Sequence, residues 1–177
     1  MVTILNKTQQ KISSANTSIN VINTIYKHIV GKYPLGTSIL DIGCGRYESN
    51  REYANDNGFA WFGIDPYNRT KEYNEASLKT LYNWCKAPNI IMLNNVLNVI
   101  AELDVVEDVL YQVYNHAESN TDIYITIYEG DKSGIGKVTT KEYQRNEKLI
   151  KYIEYVNKLF SIEEKIGSNI LRLRKVG

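Results

Sequence analysis

A single three-layer α/β domain is the fold class that this 177-residue sequence predicts: a doubly wound, mostly parallel sheet under helices, closed by a C-terminal antiparallel hairpin. Short apolar runs that end in glycine or an acidic residue alternate with longer amphipathic stretches, the pattern of βαβ crossovers. A 43% hydrophobic composition allows a core without covalent staples. The last apolar runs flank Gly167-Ser168, a hairpin signal.

The elements follow in chain order. From Thr17 to Tyr33, Ile22, Ile25, Tyr26 and Ile29 recur at helical spacing, Asn16, Thr17 and Ser18 can cap, and Gly31 and Pro34 stop the run. Ser38-Ile-Leu-Asp-Ile-Gly43 is a strand running into glycines. Glu48–Asn57 is placed as a helix by its position, and Ala60-Trp-Phe-Gly-Ile-Asp65 is a second strand. A helix from about Asn74 to Lys86 precedes the strand Asn89-Ile-Ile-Met-Leu93. Leu103, Val106, Leu110, Val113 and Ala117 mark the clearest helix. Asp122–Tyr128 is rich in β-branched and aromatic residues, as strands are. After the glycine loop 130–136, the capping box Thr139-x-x-Glu142 opens a helix with stripe Leu149, Ile153, Val156 and Phe160. Ser161–Lys165 and Asn169–Arg174 form the hairpin. Residues 1–36 are thus expected to be a helical cap and 37–177 the α/β core of one domain.

Composition narrows the function. Lys+Arg number 21 and Asp+Glu 20, so there is no global basic field for nucleic acid. Cys44 and Cys85 offer no disulfide framework, and no leader or roughly 20-residue apolar span is visible. The expectation is a cytoplasmic protein, away from membranes, as monomer or homodimer. The 14 tyrosines are not, by frequency alone, a base-stacking surface.

In an open α/β sheet, ligands bind beyond the carboxyl ends of the strands where strand order reverses. Three loops leave such ends: Asp41-Ile-Gly-Cys-Gly45, Asp65-Pro-Tyr-Asn68 and Asn94-Asn-Val-Leu-Asn98. Gly43 and Gly45 permit a tight turn and close approach to a ligand. Asp65, 22 residues after Gly43, can accept ribose hydroxyls. The dinucleotide fingerprint needs glycine where Glu48 stands, and a carboxylate there repels pyrophosphate. A Walker A loop ending at Gly136-Lys137 fails too, with Asp131 at its first glycine and Val138 at its Ser/Thr position.

Asp41-Ile-Gly-Cys-Gly45 with Gly63-Ile-Asp65 resembles the class I S-adenosylmethionine-dependent methyltransferases, whose fold is Rossmann-like. The cofactor has a sulfonium and no phosphate, which suits acidic loops. The resemblance implies that Asp41, Gly43 and Gly45 border its amino-acid part, that Asp65 holds the ribose, and that Asn94 borders the transferring methyl. It spans about Ser38–Tyr128. Val96-Leu-Asn-Val-Ile100 and Asp65-Pro-Tyr-Asn-Arg69 resemble small methyltransferases of phages and mobile elements. Two departures stand out: Tyr47 replaces a customary third glycine, and the stretch from Asp65 to Asn89 has room for one helix and little for a third strand, leaving no adenine contact assigned.

The implied activity is methyl transfer to an O or N nucleophile of a small molecule or nucleic acid, with Glu129 or Asp131 as base and Asn94 or Tyr128 orienting the acceptor. Asn94-Asn-Val-Leu lacks the Pro-Pro-aromatic signature of the enzymes that methylate amino groups in DNA. The rival reading is a catalytically silent cofactor-binding or docking module. Asn95 reads as a turn residue, Cys44 and Cys85 as packing, and Lys148, Lys151 and Lys158 as a solvated helix face. His28 and His116 have no ligand-spaced companion, so no metal is expected.

Overall fold

The computed structural model describes residues 10–138 and 142–177. Its scaffold is a six-stranded sheet of order β2-β1-β3-β4-β8-β7. The strands are β1 (Ser38–Ile42), β2 (Ala60–Ile64), β3 (Ile90–Asn94), β4 (Asp122–Thr126), β7 (Phe160–Ile166) and β8 (Ile170–Lys175). The first four are parallel, and the β7–β8 hairpin runs antiparallel beside β4.

Side-chain alternation divides the core into two layers. Leu40, Ile91, Leu93, Ile123 and Ile125 pack beneath α3 (Lys71–Trp84), α4 (Leu103–His116) and α5 (Ile153–Val156). Ile39, Trp61, Ile90, Met92 and Tyr124 pack on the other face, under α1 (Thr24–Ile29) and α2 (Ser49–Asp56). Asp41, two residues after Ile39, therefore faces α1, and Asn94, two after Met92, faces the same side. These parities put polar groups where the glycine loop crosses the sheet.

The structure corrects two expectations. The N-terminal helix is shorter than Thr17–Tyr33: a 3-10 turn (Ala15–Thr17) and α1 are separated by a stretch tied down by polar contacts. Asn23 N–H donates to Asn50 Oδ1 and Arg46 N–H to Ser18 Oγ, both 3.0 Å, so this stretch bonds to the glycine loop and α2 rather than to its own carbonyls. The helix expected from Thr139 is replaced by a two-stranded hairpin, β5 (Lys137–Val138) with β6 (Tyr143–Gln144), then a 3-10 turn (Leu149–Tyr152) leading into α5, and Phe160 opens β7. Thr139 lies outside the described residues, while Glu142 adjoins the hairpin. Arg145 N–H donates to Asn98 O at 2.9 Å, and Glu129 Oε1 caps Leu149 N–H at 2.7 Å, so helical geometry starts only there. Between β2 and β3 the chain forms α3 and no strand, leaving β2 at the sheet edge.

Candidate active site

Strand order reverses between β1 and β3, and a cavity of about 390 Å³ opens beyond their carboxyl ends, within the size range of small-molecule sites. Gly43, Gly45, Asp65, Asn94 and Tyr128 line it together.

The glycine loop is drawn onto β2. Gly43 and Cys44 N–H groups donate to Ile64 O at 2.8 and 3.1 Å. Both glycines have positive φ, 77° and 74°. A Cβ on Gly43 would lie 2.5 Å from Val96 Cγ2, and one on Gly45 would run into Ser18 Oγ. Side chains are thus excluded at both positions by conformation and by space. Tyr47 is partly exposed beside the Arg46 guanidinium and is not among the cavity residues, so the missing third glycine does not block the site.

Asp65 joins the two loops. Its Oδ2 accepts from Gly45 N–H at 2.9 Å, and its Oδ1 accepts from Tyr67 and Asn68 N–H at 2.8 and 2.7 Å. Asn68 Nδ2 also donates to Oδ1, at 3.3 Å, so the acceptor position left over is on Oδ2, which carries one bond, and it suits a ligand hydroxyl. Asn74 sets the height of this carboxylate. Its amide oxygen accepts from Asp65 N–H and its NH₂ donates to Asp65 O, both 3.0 Å, standing in for the peptide group of a neighbouring strand. Its sequence signal is a polar residue on the buried stripe Asn74–Leu78–Leu81.

Asp41 lies beneath the cavity rather than in its wall. Its Oδ2 accepts from Tyr26 OH at 2.6 Å, Trp61 Nε1 donates to the same hydroxyl at 2.8 Å, and its Oδ1 has no partner. Burial pushes the Asp41 carboxyl up to about 7, against the lowering effect of the Tyr26 hydroxyl. Tyr26 and Trp61 come from separate elements, and only the packing of α1 over β1 and β2 brings them to Asp41.

Asn94 closes the β3 end, where Thr126 Oγ1 donates to its Oδ1 at 3.3 Å. Asn95 has positive φ, as a turn residue can, and also lines the cavity. Beyond it the side-chain amides are oriented by a chain of bonds. Gln144 Nε2 must face the Tyr128 carbonyl, 3.0 Å away, so its Oε1 faces Asn98 Nδ2 at 3.1 Å. Asn98 Oδ1 is left buried without a donor, as is Asn95 Oδ1. Nothing local in the sequence links Asn98 to Gln144; the hairpin fold does so.

Glu129 and Asp131 do not line the cavity. Glu129 caps Leu149 N–H and pairs with Lys132 at 3.3 Å, and that N–H bond holds its carboxyl below the usual value. Asp131 bonds Ser133 N–H and pairs with Lys137 at 3.8 Å, and the Ser133 bond lowers its carboxyl in the same way. A lowered carboxyl is a weaker base.

No protein-family model matches the chain, and no curated protein matches its sequence. Solved structures do match. S-adenosylmethionine-dependent methyltransferases of Methanosarcina mazei superpose with TM-score 0.60 at 10% identity, covering 89% of this chain and 99% of that one. A TehB-like S-adenosylmethionine-dependent methyltransferase of Corynebacterium glutamicum gives 0.56 at 18%, covering 89% and 90%. The N-methyltransferase NodS of Bradyrhizobium japonicum, in complex with S-adenosylhomocysteine, gives 0.52 at 9%, covering 87% and 85%. The chain has the class I S-adenosylmethionine-dependent methyltransferase fold.

Proposed function

We propose that this protein binds S-adenosylmethionine in the cavity and methylates an N or O nucleophile of an acceptor. The observation that carries the reading is the Gly45 N–H bond to Asp65 Oδ2, which joins a glycine turn to a strand-ending carboxylate at the reversal of strand order. The S-adenosylhomocysteine complex of NodS and the S-adenosylmethionine dependence named for other structural neighbours support it. When bound, the cofactor supplies an electrophilic methyl on sulfur. Asp65 would hold the ribose, the Gly43–Gly45 backbone would pass under the amino-acid part, and Asn94 with Tyr128 would border the acceptor. Asp41, beneath the cavity, is held by Tyr26.

Calorimetric titration with S-adenosylmethionine, with NAD as control, tests the reading. Saturable one-to-one binding of S-adenosylmethionine alone is expected, and its absence rejects it. The silent binding-module alternative draws on one observation: Glu129 and Asp131 are engaged away from the cavity, by Leu149 N–H and Ser133 N–H. Methyl transfer from labelled cofactor to any component of a cell extract would exclude that alternative.

A further inference from the structure

Two buried side-chain atoms of the cavity's residues have no hydrogen-bond partner among the described residues, Asn95 Oδ1 and Asn98 Oδ1, and both are acceptors. Asn98 is the more closely held. It is 1% exposed and lies in the 3-10 turn Leu97–Val99, beyond the end of β3. Its main-chain carbonyl accepts from Arg145 N–H at 2.9 Å, which ties the turn to the residue after β6.

The side-chain amide cannot turn over. Gln144 bonds both Asn98 and the Tyr128 main-chain carbonyl, and a carbonyl can only accept. Gln144 Nε2 therefore donates to Tyr128 O, its Oε1 accepts from Asn98 Nδ2, and Asn98 Oδ1 is the end left over. Reversing either amide would set oxygen against oxygen. The relay thus fixes an acceptor at the cavity and gives it no donor. A buried acceptor left unpaired is costly, so the site favours a ligand that brings an N–H or O–H and rejects the analogue that lacks it. The same stretch of chain is otherwise apolar. Val96, Val99 and Ile100 also line the cavity, and Val99 and Ile100 are buried. An apolar wall with a fixed acceptor suits an apolar body that carries a donor.

We infer that the acceptor end of the cavity takes a mostly apolar molecule whose hydroxyl or N–H group donates to Asn98 Oδ1, with Gln144 as the positioning residue that orients the amide. The inference rests on the cofactor reading above and deepens it by naming the acceptor class.

The test is ligand-observed NMR titration of protein saturated with S-adenosylhomocysteine, whose own binding is measured first. The probes are matched pairs, 2-naphthol with 2-methoxynaphthalene and indole with 1-methylindole, in which a methyl caps the donor. The free donor is expected to bind about tenfold more tightly than its capped partner in both pairs. Apolar area alone would give the opposite order, because the capped probe is the larger. Asn98→Leu should bring the ratio to one or below, and Gln144→Met, which releases the amide, should lower it about threefold. A thermal melt shows whether each variant folds. Equal or inverted affinities within the pairs, or no binding of either free donor, overturns the inference and leaves the cofactor reading standing. So does a ratio that survives in Asn98→Leu, or in Gln144→Met where Asn98→Leu does not fold. Failure of S-adenosylhomocysteine to bind removes both.

Discussion

Asp65 serves two purposes at once, because the carboxylate that would meet a ribose also gathers the N–H groups of Gly45, Tyr67 and Asn68. Hydrogen bonds to charged groups are worth about 1.5–3 kcal/mol each. Asp65→Ala should therefore weaken S-adenosylmethionine binding by about 10- to 100-fold in calorimetry. Unchanged affinity would reject the ribose role, and a thermal melt of the same variant reports the loop's share. Asp65 and the two glycines were legible from spacing, because one chain segment supplies each turn. Asn74 was legible only as an anomaly, a polar residue on an apolar stripe. Asn74→Ala leaves both main-chain groups of Asp65 unpaired, and should cost about 1–3 kcal/mol in denaturant unfolding as well as weakening the cofactor. A variant of native stability would show that Asn74 is not the brace described above.

At the scale of elements, α1 is short, six residues, yet it carries Tyr26 into the sheet. Tyr26→Phe keeps the ring packed and removes the hydroxyl that serves Asp41 and Trp61 together. A loss of about 1–3 kcal/mol is expected from the two abandoned partners. An unaltered unfolding midpoint would mean that the buried triad contributes nothing. The periodicity that predicts a helix over 17–33 is real in Ile25, Tyr26 and Ile29 but stops there, since Ser18 and Asn23 bond to the glycine loop and α2. The helix expected from Thr139 failed for a similar reason: Arg145 and Leu149 are held by Asn98 and Glu129, partners no local pattern discloses. Long amphipathic segments such as α4 read correctly, because their stripe is itself the packing surface.

For the molecule as a whole, two buried groups set opposing pH dependences. Asp41 titrates at about 7 when folded, against an ordinary value of 3.8, so the folded state binds more protons and Asp41's contribution to stability is lost as pH rises from about 3.8 to 7. Burial pushes His116, beside Tyr82, down to about 4 from 6.5, so its contribution is full above 6.5 and is lost as pH falls to 4. In the intact protein the two trends offset each other across this window. Asp41→Asn should leave stability rising with pH between 4 and 6.5, and His116→Asn should leave it falling toward pH 7, as followed by urea unfolding at a series of pH values. Parallel profiles for both variants would refute the assignment.

The layered α/β scaffold, the glycine loop, the strand-ending carboxylate and the order of elements are all written in the chain, carried by apolar period and by residues close together along it. Tertiary structure decided the rest. It placed Asn74 where a neighbouring strand would pair, brought Tyr26 and Trp61 to Asp41, turned Glu129 onto the Leu149 N–H, and folded a hairpin against Asn98. Apart from Asn74, each of these depends on a partner far away in sequence, and a buried polar group is satisfied by whatever the packing sets within hydrogen-bond reach, not by its neighbours along the chain.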